Sequence, residues 1–293
     1  MFAIIGIVVV FGAVIGGFLM EHGKLPVLIQ PAELIIIGVA ASGTLLIANP
    51  LRVLKKIGAG FGSVFKNSPF SKERYLTSLK MLYDVFNRAR REGLVSLEAD
   101  ADAPEKSVVF SKYPEFLNDH HVCAFVCDTL RMASSGGVDA FDLDQMMELD
   151  MEVHHHGAVQ PVAALTTVAD SLPGLGIVAA VLGVVITMGS LGGPPEEIGA
   201  HAAAALVGTF LGILLCYGLV GPISANLAKS ADEEQEYYHV LRVTMNAFIK
   251  GTAPIMAVEI GRRAIPSHAR PTFQEVEQNC RSKGAAPAEA AAA

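Results

Sequence analysis

Along this chain, stretches without a single Asp, Glu, Lys, Arg or His alternate with stretches crowded with them. The uncharged runs extend from Met1 to Met20, Leu34 to Leu51, Ser171 to Pro195 and Ala202 to Ala228. At about 1.5 Å of rise per residue, each is long enough, or nearly so, to cross the hydrocarbon layer of a bilayer as a helix. The pattern predicts an all-α, polytopic membrane protein whose four transmembrane helices form two hairpins. Between the hairpins the period changes. Tyr75, Leu76, Leu79, Leu82, Phe86 and Ala89 recur at helical spacing, with Ser71 as N-cap and Gly93 as stop, which predicts an amphipathic helix from about Lys72 to Glu92. A second helix is predicted over Phe116 to Ala133, ending before Ser134-Ser135-Gly136-Gly137. A third begins near Phe141 and runs through Met146, Met147, Leu149 and Val153 toward the membrane. After the fourth span, Asn226, Tyr237, Leu241, Met245 and Phe248 continue the helical pattern into water. No segment alternates convincingly as a strand. The expected division is a transmembrane hairpin over 1–51, a cytoplasmic helical domain over 52–170, a second hairpin over 171–228, a helical tail over 229–283 and a mobile Ala-rich end over 284–293.

Composition supports that reading. With 293 residues, 52% of them hydrophobic, and a mean hydropathy of +0.43, this is not a small soluble domain. The net charge of -7 says less than its placement. Of 22 Lys and Arg, only Lys24 falls within the two short hairpin turns. Arg52, Lys55, Lys56 and Lys66 instead crowd one membrane exit, so the positive-inside rule places the insertion, the tail and both termini in the cytoplasm. The first segment has neither a basic n-region nor an evident small-residue cleavage site, and it reads as a retained helix. The four Cys do not form a disulfide framework: Cys123 and Cys127 lie on a cytoplasmic helix, Cys216 in a span and Cys280 in the tail.

With no ionisable group inside the uncharged runs, any charge carrier is expected on a partner. Pro173 opens the third run and fits a first helical turn, where the missing N–H does no harm. Pro222 is internal if the fourth helix continues to Lys229, and it then removes a backbone bond and kinks the helix. Thr209, and Thr187 with Ser190, either bond back to their own helices or line a polar path. Small residues four apart, Gly12/Gly16, Ala179/Gly183 and Gly208/Gly212, allow close helix approach within one chain or between copies. The charges from Arg88 to Glu98 read as a solvated face or as an electrostatic docking surface. Consecutive His154, His155 and His156 point about 100° apart on a helix and do not converge on a metal. No nucleotide loop, zinc-protease pair or nucleophile elbow is present, so neither enzyme activity, cofactor nor metal is expected.

Several stretches resemble one family as a set. Val168 to Val185, including Asp170-Ser171-Leu172-Pro173-Gly174, and Leu206 to Leu215, including Val207-Gly208-Thr209-Phe210-Leu211-Gly212, resemble spans three and four of motility protein A, the flagellar stator subunit of the MotA/TolQ/ExbB proton channel superfamily. Ala257 to Arg263 and Arg270 to Phe273 resemble its tail motif. The resemblance implies five subunits in the bacterial inner membrane around two copies of motility protein B, which supplies a membrane Asp. It further implies that Pro173 and Pro222 couple ion passage to conformational change. By the same resemblance, Thr209 is expected to face the ion path, and Arg90 with Glu98 to engage the rotor switch protein FliG. Ile186 stands where some proton-driven members have His. An ExbB/TolQ-like subunit, a sodium-driven stator and a non-transporting scaffold are the alternatives; no nucleic-acid partner is expected.

Overall fold

A computed structural model describes residues 2–65, 68–189 and 191–281. Lys66, Ser190 and the Ala-rich end fall outside the described residues. In chain order the helices are α1 (Phe2–Met20), α2 (Leu25–Leu28), α3 (Pro31–Ala48), α4 (Leu51–Ser63), α5 (Lys72–Glu92), α6 (Glu98–Asp102), α7 (Pro114–Asn118), α8 (His120–Ser135), α9 (Ala140–Gly189), α10 (Pro195–Leu215), α11 (Gly221–Ile249), α12 (Pro254–Ala264) and α13 (Phe273–Arg281). No strand occurs among the described residues, and four helical stretches are long and apolar enough to span a membrane. The protein is an all-α membrane protein. Its contacts divide it into one unit of residues 1–67 with 157–231 and another of 68–156 with 232–293.

In the first unit, α9 and α10 meet backbone to backbone because the residues between them are small. A Cβ built on Gly212 would lie 2.5 Å from the Leu172 carbonyl oxygen, and one on Gly183 would lie 2.8 Å from the Ala205 Cβ. Lipid tails are as apolar as the side chains, so the hydrophobic effect gives helices no reason to associate, and this close van der Waals seam is what holds them. The pairs Ala179/Gly183 and Gly208/Gly212 therefore serve packing within the chain. Gly12 and Gly16 on α1 instead face open space. Near the basic exit, α4 buries Val53 and Ile57 while Arg52 and Lys55 remain exposed. Lys56 Nζ donates to the Gly157 carbonyl at 3.1 Å, and the Ser224 hydroxyl donates to the Val162 carbonyl at 3.0 Å.

The second unit has an ordinary water-excluding core. Helix α5 runs over the predicted residues: the Ser71 hydroxyl accepts the Arg74 N–H, and Gly93 leaves the helix at φ 84°, a conformation disfavoured for side-chain-bearing residues. Its buried face, Tyr75, Leu79, Leu82 and Phe86, packs with Val126 and Leu130 of α8, Leu241 and Met245 of α11 and Val258 of α12. Each such side chain contributes about 1.5–3 kcal/mol on burial. Phe86 stacks on Phe248 at 4.1 Å, and the Ser78 and Tyr237 hydroxyls share a 2.6 Å bond. The second predicted helix is broken: Asp119 ends α7 and caps α8, its carboxylate accepting the Val122 N–H at 3.2 Å. The tail is fastened by charge. Glu259 bridges Arg262 and Arg263, which hold its carboxyl below the usual range, and Glu275 accepts from Lys72 at 2.7 Å and from Thr272, which bring it down to about 2.

Candidate functional site

Pro173 does not open a helix. Helix α9 begins at Ala140 and passes unbroken through Pro161 and Pro173, so the expected third cytoplasmic helix and the third span are one element. The first-turn explanation for Pro173 is thereby removed: it sits where a normal residue would donate an N–H to Ala169, and that carbonyl loses its helical partner. The preceding carbonyl, at Leu172, lies against Gly212 of α10. Proline and seam are adjacent features of one surface.

Pro222 has a local solution that the sequence did not disclose. Residues Cys216–Val220 form a π-helical turn between α10 and α11, and the Gly221 N–H donates back to the Cys216 carbonyl, five residues away. The wider turn makes room for a proline that a continuous α-helix would reject. A Cβ on Gly221 would lie 2.8 Å from that same carbonyl oxygen, so glycine is required for the close approach. The expected irregularity at Pro222 is present, and its centre lies one turn earlier, in the π segment.

Thr209 follows Gly208 on α10 and is half-buried. Thr187 bonds back to the Gly183 carbonyl at 2.8 Å, but the Thr209 hydroxyl has no hydrogen-bond partner among the described residues. A hydroxyl left open in a span is available to water or an ion. The expectation that no ionisable group enters the membrane part needs correction. Glu33 is in the first turn of α3, only 5% exposed, with Oε2 2.6 Å from the position a Gly208 Cβ would occupy. It ends one residue outside the uncharged run beginning at Leu34, and that boundary concealed it.

Arg90 and Glu98 belong to the second unit, where the turn at Gly93 brings the end of α5 and the start of α6 onto one short connection. Both side chains are exposed and form no ion pair among the described residues. Their neighbours are committed: Arg88 pairs with Asp100 at 2.8 Å and with Glu92 at 3.1 Å, and Leu97 is buried as an anchor. Arg90 and Arg91 also occupy the last turn of α5, where the helix dipole favours cations. The connection thus presents unpaired charges of both signs on a braced support. His154 is a structural group: its Nε2 lies 3.0 Å from Glu234 Oε1, and its ring packs on Tyr238 at 4.9 Å. No cluster of three metal-ligating side chains occurs among the described residues.

A small-residue membrane seam joined by chain to a charged helical unit defines a polytopic membrane subunit with a water-facing helical part. Residues 118–239 match the MotA/TolQ/ExbB proton channel family, and residues 4–93 match the motility protein A N-terminal family. Motility protein A of Salmonella typhimurium is 38% identical over 282 residues, covering 96% of each chain. Among solved structures, that of Campylobacter jejuni MotAB ("C. jejuni MotAB") aligns with a TM-score of 0.75 at 18% identity, over 92% of this chain and 98% of that one. The flagellar MotAB stator complex of Bacillus subtilis aligns with a TM-score of 0.71 at 24% identity, over 94% and 98%. The chain belongs to the motility protein A family. It is a stator subunit of the flagellar motor and not an enzyme.

Proposed function

We propose that this chain forms a pentamer around a motility protein B dimer in the bacterial inner membrane, with both termini cytoplasmic, and that it turns proton flow into torque on FliG. On this reading residues 171–228 line the ion path, residues 52–170 face the rotor, and residues 1–51 and 229–283 brace them. The partner supplies the Asp that carries the proton. Neutralising that carboxylate removes a charge whose burial is expensive, so it can pass the apolar α9–α10 wall. A proton crossing the membrane releases about 2.3 kcal/mol per 100 mV. Pro173, which leaves the Ala169 carbonyl without its helical donor, and the π turn before Pro222 mark the points on the two spans where such steps are most easily converted into conformational change, and Thr209 offers its open hydroxyl to the path.

The observation carrying the rotor contact is that Arg90 and Glu98 are exposed and unpaired beside Arg88, which is not. Exposed complementary charges steer encounter and fix orientation. Reversing Arg90 to Glu is expected to abolish swimming, and reversing the opposing FliG charge is expected to restore it. If no FliG reversal rescues either Arg90→Glu or Glu98→Lys while the stator still assembles, the docking assignment is wrong.

A further inference from the structure

We propose that Glu33 is a proton-binding site supplied by this chain itself, lodged where α3 meets α10, and that it exchanges its proton with the ion path. The inference rests on the ion-path reading of α9 and α10 given above. Its basis is placement. Glu33 is 5% exposed, and its Oε2 is buried without a hydrogen-bond partner among the described residues. The oxygen occupies the notch left by the missing side chain of Gly208, a notch also lined by the Ala179 Cβ of α9. Gly208 lies six residues beyond Ala202, the start of the last uncharged run, which corresponds to about 9 Å of helix. The acid is therefore beneath the outer edge of the apolar layer. Thr209, with its open hydroxyl, is the next residue.

An unpaired carboxylate in such surroundings is strongly disfavoured, and here no cation arrives to offset it. Between Asp170 and its end, α9 carries no charge. On α10 the titratable groups are Glu196, Glu197 and His201, the last seven residues before Gly208 and so on the same face; α2 carries none and follows Lys24. None makes an ion pair with Glu33 among the described residues. The group is thus carried as the acid at rest. Its turnover is one bond: a hydronium on the outer side gives a proton to Oε2 and is left as water, and the same O–H bond breaks when the proton passes to the partner's carboxylate, which becomes the neutral acid while Glu33 is left as carboxylate.

The test uses the full stator complex with its partner. Infrared spectra between pH 5 and 9 are expected to show a protonated carboxyl C=O band that disappears in Glu33→Gln, an isosteric change that leaves the seam filled. In cells, the Gln variant is expected to swim several-fold more slowly, with a flattened dependence of speed on external pH, and Glu33→Asp is expected to recover part of both. A spectrum unchanged by Glu33→Gln overturns the proposal, as does a Gln variant with wild-type speed and pH profile. The infrared band is read without a turning motor, so it judges Glu33 separately from the ion-path reading. That reading fails instead if replacing the partner's Asp leaves swimming intact.

Discussion

Two arginines two residues apart on α5 illustrate how differently neighbouring charges are employed. Asp100 is 6% exposed, and Arg88 is its ion-pair partner, so deleting Arg88 leaves a nearly buried carboxylate uncompensated. Arg88→Ala is expected to lower the stability of the assembled protein by about 1–3 kcal/mol, the usual penalty for orphaning a buried polar group. Arg90→Ala leaves no such orphan and is expected to change stability by less than about 0.5 kcal/mol, as surface substitutions do. Thermal melting of the purified complex measures both, and a larger loss from Arg90→Ala would mean that Arg90 is structural. From sequence alone the two arginines are equivalent members of one charge run. Glu33 was hidden for a related reason: the end of an uncharged window is a boundary in sequence, whereas the membrane boundary is set in space by what the side chain packs against. Only the fold shows that the carboxyl lies against Gly208.

At the scale of elements, legibility followed the strength of local signals. Helix α5 was readable to the residue because its apolar period, its Ser71 cap and its Gly93 stop agree. The break at Asp119 has no clear sequence signal, since a cap within an otherwise continuous apolar pattern looks like any polar helical residue. In sequence, a proline after Ser-Leu resembles a helix start, whereas in the fold α9 continues through Pro173. The π turn over Cys216–Val220 has no sequence signature beyond a nearby Gly and Pro, yet it is the feature that accommodates Pro222. Replacing Pro222 by Ala restores a backbone donor and removes the ring clash, favouring a continuous α-helix by about 3 kcal/mol. The Pro222→Ala stator is therefore expected to assemble normally but to swim several-fold more slowly, because on the proposed reading the π-helical interruption is the joint of the fourth span. Wild-type swimming by an assembled Pro222→Ala stator would exclude the interruption as a working joint.

For the whole molecule, the membrane unit presents long apolar walls, with a buried acid at Glu33 and an open hydroxyl at Thr209, which do not make a continuous polar route from face to face among the described residues. Conduction should then require the partner's carboxylate, since an ion crossing apolar helices without a titratable carrier faces the full cost of losing its water. Reconstituted alone into vesicles, this chain is expected to hold a proton gradient as well as empty vesicles do. Co-reconstituted with motility protein B, it is expected to dissipate that gradient, and replacing the partner's membrane Asp with Asn should make the vesicles tight again. The ion follows from the same preparation. If protons are the carriers, removing sodium at fixed pH leaves the dissipation unchanged, whereas a sodium-driven stator leaves the proton gradient intact and collapses a sodium gradient instead. Rapid proton leak through this chain by itself would refute the division of labour, because the walls would then contain a complete path of their own.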